Sequence, residues 1–313
     1  MKKTGLKIIY VMLAAFMAVS CSPTDKQMQD DSKISVVSAI FPSYDFARNV
    51  CADTAEVSML ISPGSDIHSF EPTAKDINRI INCDLFIYTG GESDEWVENI
   101  LSSMNKEINT LKMMDVSGLE KEDYTHFQSS ENHAHHHGEY DEHVWTSPEN
   151  AIKIVNAIKE KMCVIDAENS AVYTDNAQNY IKKIDAVKTE TKDVIAAAKR
   201  KTIVMGDRFP LLYYAKYYGL EVFAAFPGCA EKTEPSAATV AFLADKIKEE
   251  NISVVFKSEL SGGQTADALC RETGAKCLEL AACHNISKED FDADIGYVDI
   301  MRKNAQALTE ALN

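Results

Sequence analysis

The 313-residue chain lacks three common signatures of metal, redox and nucleotide chemistry. It has no H-E-x-x-H, which removes the usual helical zinc-protease arrangement, and no C-x-x-C, which weighs against a thioredoxin-type site or a zinc ribbon. It also has no G-x-x-x-x-G-K-[ST] run for binding nucleotide phosphates. Basic charge is scarce, with 32 Lys+Arg against 48 Asp+Glu, a net charge of −16 and a pI of about 4.9. No basic domain exists to neutralise phosphates, so electrostatic binding of nucleic acid is excluded. An acidic surface of this kind suits a cation or a basic partner, and it also keeps ordinary proteins soluble. What is present is the composition of a folded protein, 45% AVILMFWYC and 26% DEKR. The length suits about two domains of ~150 residues each.

Long apolar runs are confined to the N-terminus. Lys2, Lys3 and Lys7 precede IIYVMLAAFMAVS, whose 13 residues fall short of the ~20 needed to span a bilayer core. The pattern reads as a secretory signal over residues 1–20. It ends in AVSC, which resembles a bacterial lipobox with Cys21 as the lipidated residue, although Ala18 stands where Leu is usual. Residues 21–32 then form a polar tether. This predicts an exported chain, lipid-anchored at the outer side of a bacterial membrane, on its periplasmic or extracellular face. Cysteines stand at 21, 51, 83, 163, 229, 270, 277 and 283. Removing the lipidated one leaves an odd number, so at least one thiol is unpaired if pairing is intramolecular.

Beyond the tether, short β-rich runs alternate with helical stretches: KISVVSAI, PSYDFARNV, AEVSMLI, TAKDINRIIN, CDLFIYTGG. The same grammar returns past residue 200 as KTIVMGD, LLYYAKYYG, LEVFAAF, AATVAFLADKIKEEN, ISVVFKSEL, TADALCRETG and AKCLELA. Such alternation predicts two α/β lobes with parallel sheets, over residues 33–165 and 201–313. Residues 166–200 contain neither Gly nor Pro. There Tyr173, Ala177, Tyr180, Ile184, Val187, Thr191, Val194 and Ala198 follow a 4-3-4-3 spacing, which predicts one amphipathic helix. At ~1.5 Å per residue it would run about 50 Å, long enough to serve both lobes as a shared spine.

Of eight His, five stand at 126, 133, 135, 136 and 137, inside an acidic loop spanning 126–142. Imidazoles this dense beside carboxylates suit Zn, Cu or Ni rather than Mg or Ca. Without apolar periodicity the segment predicts a loop that gathers metal with no fixed geometry. His143 differs, because it heads HVWTSPENA, where Ser147 and Pro148 start the helix ENAIKIVNAIKEK. His68 lies in PGSDIHSFEPTAKDI, a Gly-Pro loop between strand and helix, where α/β sheets present ligand groups.

PGSDIHSFEPTAKDI and DEHVWTSPENA closely resemble the two N-lobe ligand motifs of the zinc/manganese substrate-binding proteins of ABC importers, the cluster A-I family. The YYAKYYGL, TEPSAATVAFLADKIKEENI and ETGAK segments resemble that family as well. The resemblance implies two lobes, each with a four-stranded parallel sheet and surrounding helices, joined by one long helix, with the metal held between them. His68 and His143 carry over directly. In the C-lobe the family's third ligand position falls on Arg208, which does not ligate, and Asp207 is the neighbouring candidate. The usual fourth ligand, an Asp, falls on Ala281, and His284 is the substitute. Cys283 is open to two roles, ligand or disulfide partner of Cys229, and Glu259 is a reserve carboxylate. The expected set is therefore His68, His143, His284 and Asp207.

Three imidazoles and one carboxylate suit tetrahedral Zn2+, whereas Mn2+ prefers more oxygen ligands. The expectation is an importer receptor that is not an enzyme and is monomeric. It would deliver zinc to an ABC permease powered by a separate ATPase. The alternatives are a Mn2+-binding protein, a lipoprotein with a purely structural metal, or a surface zinc hydrolase using Glu234 or Glu259 as general base.

Overall fold

The computed structural model describes residues 33–65, 67, 70–104, 106–121, 140–227 and 235–313. Its apolar runs pair into two sheets. The first contains β1 (Ile34–Ser38), β2 (Ala55–Met59), β3 (Leu85–Tyr88) and β4 (Thr110–Lys112), in the order β2-β1-β3-β4. The second contains β5 (Thr202–Phe209), β6 (Glu221–Pro227), β7 (Val254–Lys257) and β8 (Lys276–Glu279), in the order β6-β5-β7-β8. Every pairing within them is parallel, so the expected pair of four-stranded parallel sheets is present. Strands covered on both faces need continuous apolar sequence, and LFIY of β3 is buried at all four positions. The shared strand order places a topological switch between β1 and β3 and another between β5 and β7. Crevices open beyond the carboxyl ends of strands at such switches.

In the N-lobe the helices are α1 (Phe41–Cys51), α2 (Ala74–Asn82), α3 (Glu95–Ser103) and α4 (Pro148–Ile165). As the sequence predicts, α4 starts with Ser147 as N-cap, its hydroxyl accepting from the Asn150 N–H at 3.4 Å, and Pro148 opening the first turn. The long helix is α5 (Ser170–Ala197), 28 residues and about 42 Å at ~1.5 Å per residue. A separate 3-10 turn, Ala167–Asn169, precedes it, so it is shorter than the predicted 50 Å. Its buried stripe is Tyr173, Ala177, Tyr180, Ile184, Val187, Thr191 and Ile195. Ile195 is the buried residue of the last turn and the expected Val194 packs against the core only partly buried, because a true helical period of 3.6 drifts ~20° per heptad from the 3.5 spacing. Ala198 lies past the helix end.

The C-lobe helices are α6 (Leu212–Tyr218), α7 (Ala237–Glu249), α8 (Gln264–Thr273), α9 (Lys288–Asp292) and α10 (Tyr297–Ala311). The spine α5 packs on α1, α4 and α10. Residues 33–313 form one compact unit, and a single apolar core runs through both sheets. A second, smaller cluster lies between the C-lobe sheet and α7 and α8. No helix among the described residues is long and apolar enough to cross a membrane.

Candidate metal centre

His143 sits in the turn ahead of α4, 2% exposed, and its placement begins with a carboxylate two residues away. Asp141 Oδ1 accepts the His143 backbone N–H at 2.8 Å and lies 2.9 Å from Nδ1. A carboxylate can only accept, so Nδ1 donates and the ring's lone pair resides on Nε2, the nitrogen suited to a metal. Both lobes hold the turn. Tyr213 on α6 donates its hydroxyl to the Asp141 carbonyl at 2.7 Å. Trp145 donates its indole N–H to the Ala282 carbonyl at 2.7 Å, and Tyr297 on α10 donates to the Trp145 carbonyl at 2.8 Å.

His284 follows β8 in a segment clasped from two directions. Asn304 on α10 brackets Ala281, accepting its N–H at 2.9 Å and donating to its carbonyl at 2.7 Å. Glu259, just past β7, accepts the Ala282 N–H at 2.8 Å and the His284 N–H at 2.9 Å. Between them Cys283 adopts φ 65°, an uncommon conformation for a residue with a Cβ, and its side chain is fully buried. Burial pushes the Glu259 carboxyl pKa up. His284 and the two backbone N–H groups outweigh burial and hold it below the usual glutamate value. His284 Nδ1 is 3.7 Å from Glu259 Oε1, within ion-pair range and too long for a hydrogen bond. With each oxygen accepting one backbone N–H, Glu259 acts as a clasp on the His284 segment.

These two clasps bring the histidines together. The His143 and His284 rings pack edge to face with centroids 4.3 Å apart, and the Trp145 ring lies 5.5 and 5.3 Å from them. Asp207 reaches the same region from a bulge in β5, where the register shifts between Met205 and Arg208. Its Oδ1 accepts the Arg208 N–H at 2.9 Å, while the buried Oδ2 has no hydrogen-bond partner. Asp207, Arg208, Glu259 and His284 line one cavity of about 340 Å³. The loop after β2 closes its other side. Asn285 donates to the Ser62 and Ser65 carbonyls at 2.9 and 2.7 Å, and Gly64 N–H bonds the Ile286 carbonyl at 2.8 Å.

His68 lies outside the described residues, as do Cys21, His126, His133, His135, His136, His137, Cys229 and Glu234. Among the described residues no three His, Cys, Asp or Glu stand close enough together to hold an ion. Asp207 shares a cavity with His284, whereas His143 meets His284 directly. Two contributors that sequence reasoning missed are Asp141 and Trp145. Asp141 carries a faint signal in its D-x-H spacing, but the reach of Trp145 to Ala282 carries none.

A profile of the family described as zinc-uptake complex component A, periplasmic, matches residues 36–311. The chain is 33% identical to the high-affinity zinc uptake system protein ZnuA of Bacillus subtilis, over 97% of both chains. It is 32% identical to the zinc-binding lipoprotein AdcA of Streptococcus pneumoniae over 99% of its own length, but spans only 61% of that relative. The crystal structure of the Zn(II)-bound ZnuA-like domain of Streptococcus pneumoniae AdcA superposes with a TM-score of 0.74 at 30% identity. That superposition covers 90% of this chain and 99% of the domain.

Proposed function

The chain belongs to the family of periplasmic zinc-uptake complex component A proteins, and from that premise we propose that it is the extracytoplasmic receptor of a zinc importer. It captures Zn2+ between its lobes through His68, His143, His284 and Asp207 and hands the ion to a membrane permease. The observation that carries this reading is the packing of His143 against His284, one imidazole from each lobe, with Asp141 holding the His143 ring nitrogen and Glu259 holding the His284 backbone N–H. Ordinary core histidines do not need two carboxylate clasps in one place, whereas a metal ligand needs its ring orientation held before the ion arrives. The buried, unpartnered Asp207 Oδ2 gives the cavity a hard oxygen beside the softer nitrogens. Three nitrogens and one oxygen close a tetrahedral shell with no position left for a catalytic water.

Anchoring through Cys21 keeps the receptor beside its permease, and ATP hydrolysis belongs to a separate subunit. The histidines at 126, 133, 135, 136 and 137 collect additional zinc weakly, because ordering such a loop around an ion has an entropic cost that a pre-formed site avoids. Titration of the mature chain with zinc against a chromophoric chelator tests this reading. One tight site is expected. His143→Ala weakens it by about 100-fold or more without altering the far-ultraviolet circular dichroism. Deletion of residues 127–137 removes weak sites only. A tight site that survives His143→Ala unchanged overturns the assignment.

A further inference from the structure

Among the described residues, Cys51, Cys83 and Cys283 are buried thiols, while Cys163, Cys270 and Cys277 are half-buried. The last two meet. The register Val204↔Val255↔Cys277 places these three residues on one face of the C-lobe sheet. That face carries the apolar cluster shared with α7 and α8, and Cys270 and Cys277 both pack against it. Cys270 lies four residues after Ala266 on α8, hence on the same helical stripe. The stripe is pressed hard onto the sheet, since a Cβ added to Gly206 of β5 would come within 2.4 Å of the Ala266 Cα. Gly274 ends α8 at φ 79° and turns the chain straight into β8, which carries Cys277. The two thiols lie near enough to act on each other electrostatically, and the Asp267 side chain also acts on Cys277.

We propose that Cys270 and Cys277 are joined by a disulfide in the exported protein, crosslinking α8 to β8. This goes beyond zinc capture and rests only on the export part of the preceding reading, since disulfides persist outside the cytoplasm. A low-molecular-weight or protein disulfide is the oxidant. The Cys270 thiolate attacks one of its sulfurs and displaces a thiolate, and Cys277 then attacks the Cys270 sulfur of the mixed disulfide and releases the second thiol. The two cysteines lose two protons and two electrons, and the donor disulfide is reduced to two thiols. Burial raises both pKa values. For Cys270 the neighbouring Cys277 and the charges of Arg271 and Lys257 counteract it. Cys277 is pushed up to about 12 by burial, Cys270 and Asp267. The crosslink would tie the strand that runs into the His284 segment to the helix lying on β5, which carries Asp207.

Peptide mapping with fragment sequencing tests the pairing, because Arg271 and Lys276 leave the two cysteines on different tryptic peptides and fragmentation of the linked pair tells Cys277 from Cys283, which shares its peptide 277–288. The mature chain, exported and purified without reductant, is alkylated and digested before and after reduction. A second sample is first reduced and then incubated with oxidised glutathione. A linked peptide pair containing Cys270 and Cys277, lost on reduction and regenerated by glutathione, is expected. Reduction should also lower the unfolding midpoint of the wild type by about 5 °C and leave that of the doubly substituted chain, Cys270→Ser with Cys277→Ser, unmoved. Alkylation of both thiols after glutathione treatment, or a bond from either to another cysteine, overturns the proposal. Because the second sample is oxidised in vitro, its failure is separable from a failure of export or of zinc binding.

Discussion

At His143 the neighbour that matters is Asp141, whose Oδ1 takes both the backbone N–H and Nδ1. Asp141→Ala should leave the histidine in place with its ring free to rotate, and weaken zinc binding by about 10- to 100-fold. Competition titration reads this directly, and an unchanged affinity would mean that packing against Trp145 alone orients the ring. At Asp207 the two oxygens have separate roles, Oδ1 on the Arg208 N–H and Oδ2 buried without a partner. Asp207→Asn keeps the first interaction and removes the charge. It should therefore weaken zinc by about 10-fold or more while leaving the unfolding midpoint in denaturant nearly unchanged. If stability drops and affinity holds, the carboxylate is a structural feature of the β5 bulge and not a ligand.

Among the elements, α5 illustrates how a helix of modest amphipathicity is kept by packing. Its stripe meets α1, α4 and α10, and Ile184 near its middle is fully buried. Ile184→Ala should cost about 2–5 kcal/mol, because the two lobes meeting there cannot both relax into the cavity. The junction of β3 and α3 carries a pH-dependent cost. Asp94 Oδ2 accepts the Thr89 and Gly90 N–H groups at 2.6 and 3.1 Å, yet burial pushes its pKa up to about 6. An unfolded Asp titrates near ~3.9, so between about pH 4 and pH 6 the folded chain binds the extra proton and stability falls as pH rises. Asp94→Asn retains an acceptor and cannot ionise. Its stability relative to wild type should climb across that window by about 3 kcal/mol and stay level above it. Urea unfolding at pH 4 and pH 7 checks the sign, and equal differences at both would remove Asp94 as the cause.

For the whole molecule, the apolar core through both sheets and the bonds from Trp145 to Ala282 and from Tyr297 to Trp145 oppose separation of the lobes. Asp45 adds to them. Its fully buried carboxylate accepts from Tyr180 on α5 at 2.5 Å and from the Tyr297 N–H at 3.1 Å, while pairing with Arg48. Opening the lobes would expose apolar surface and take the Tyr297 N–H from that buried carboxylate, so zinc should bind with local ordering of loops rather than a hinge motion. Small-angle scattering of the metal-free and zinc-loaded chain should give radii of gyration within about 1 Å of each other. A larger difference would mean that the inter-lobe bonds break and re-form with the cargo.

The alternation of β-rich and helical runs, the start of α4 at Ser147 and Pro148, and the long spine were all legible in the sequence. Each depends on periodicity or capping chemistry contained within one element. So was the singular position of His143, because its turn and cap are encoded in adjacent residues. The exact stripe on α5 was legible only to within one residue, since a 3.5 spacing and a 3.6 helix part company over four turns. What only the tertiary structure decided is the neighbourhood of the candidate ligands. His284 meets His143 because β8 delivers it to the same crevice, Asp141 and Trp145 fix the turn, and Glu259 holds the backbone of the His284 segment at the cavity wall. The Trp145 bond to Ala282 spans 137 positions. The contacts that build the site come from strand order and from chain crossing between lobes, and neither leaves a periodic trace in the residues they join.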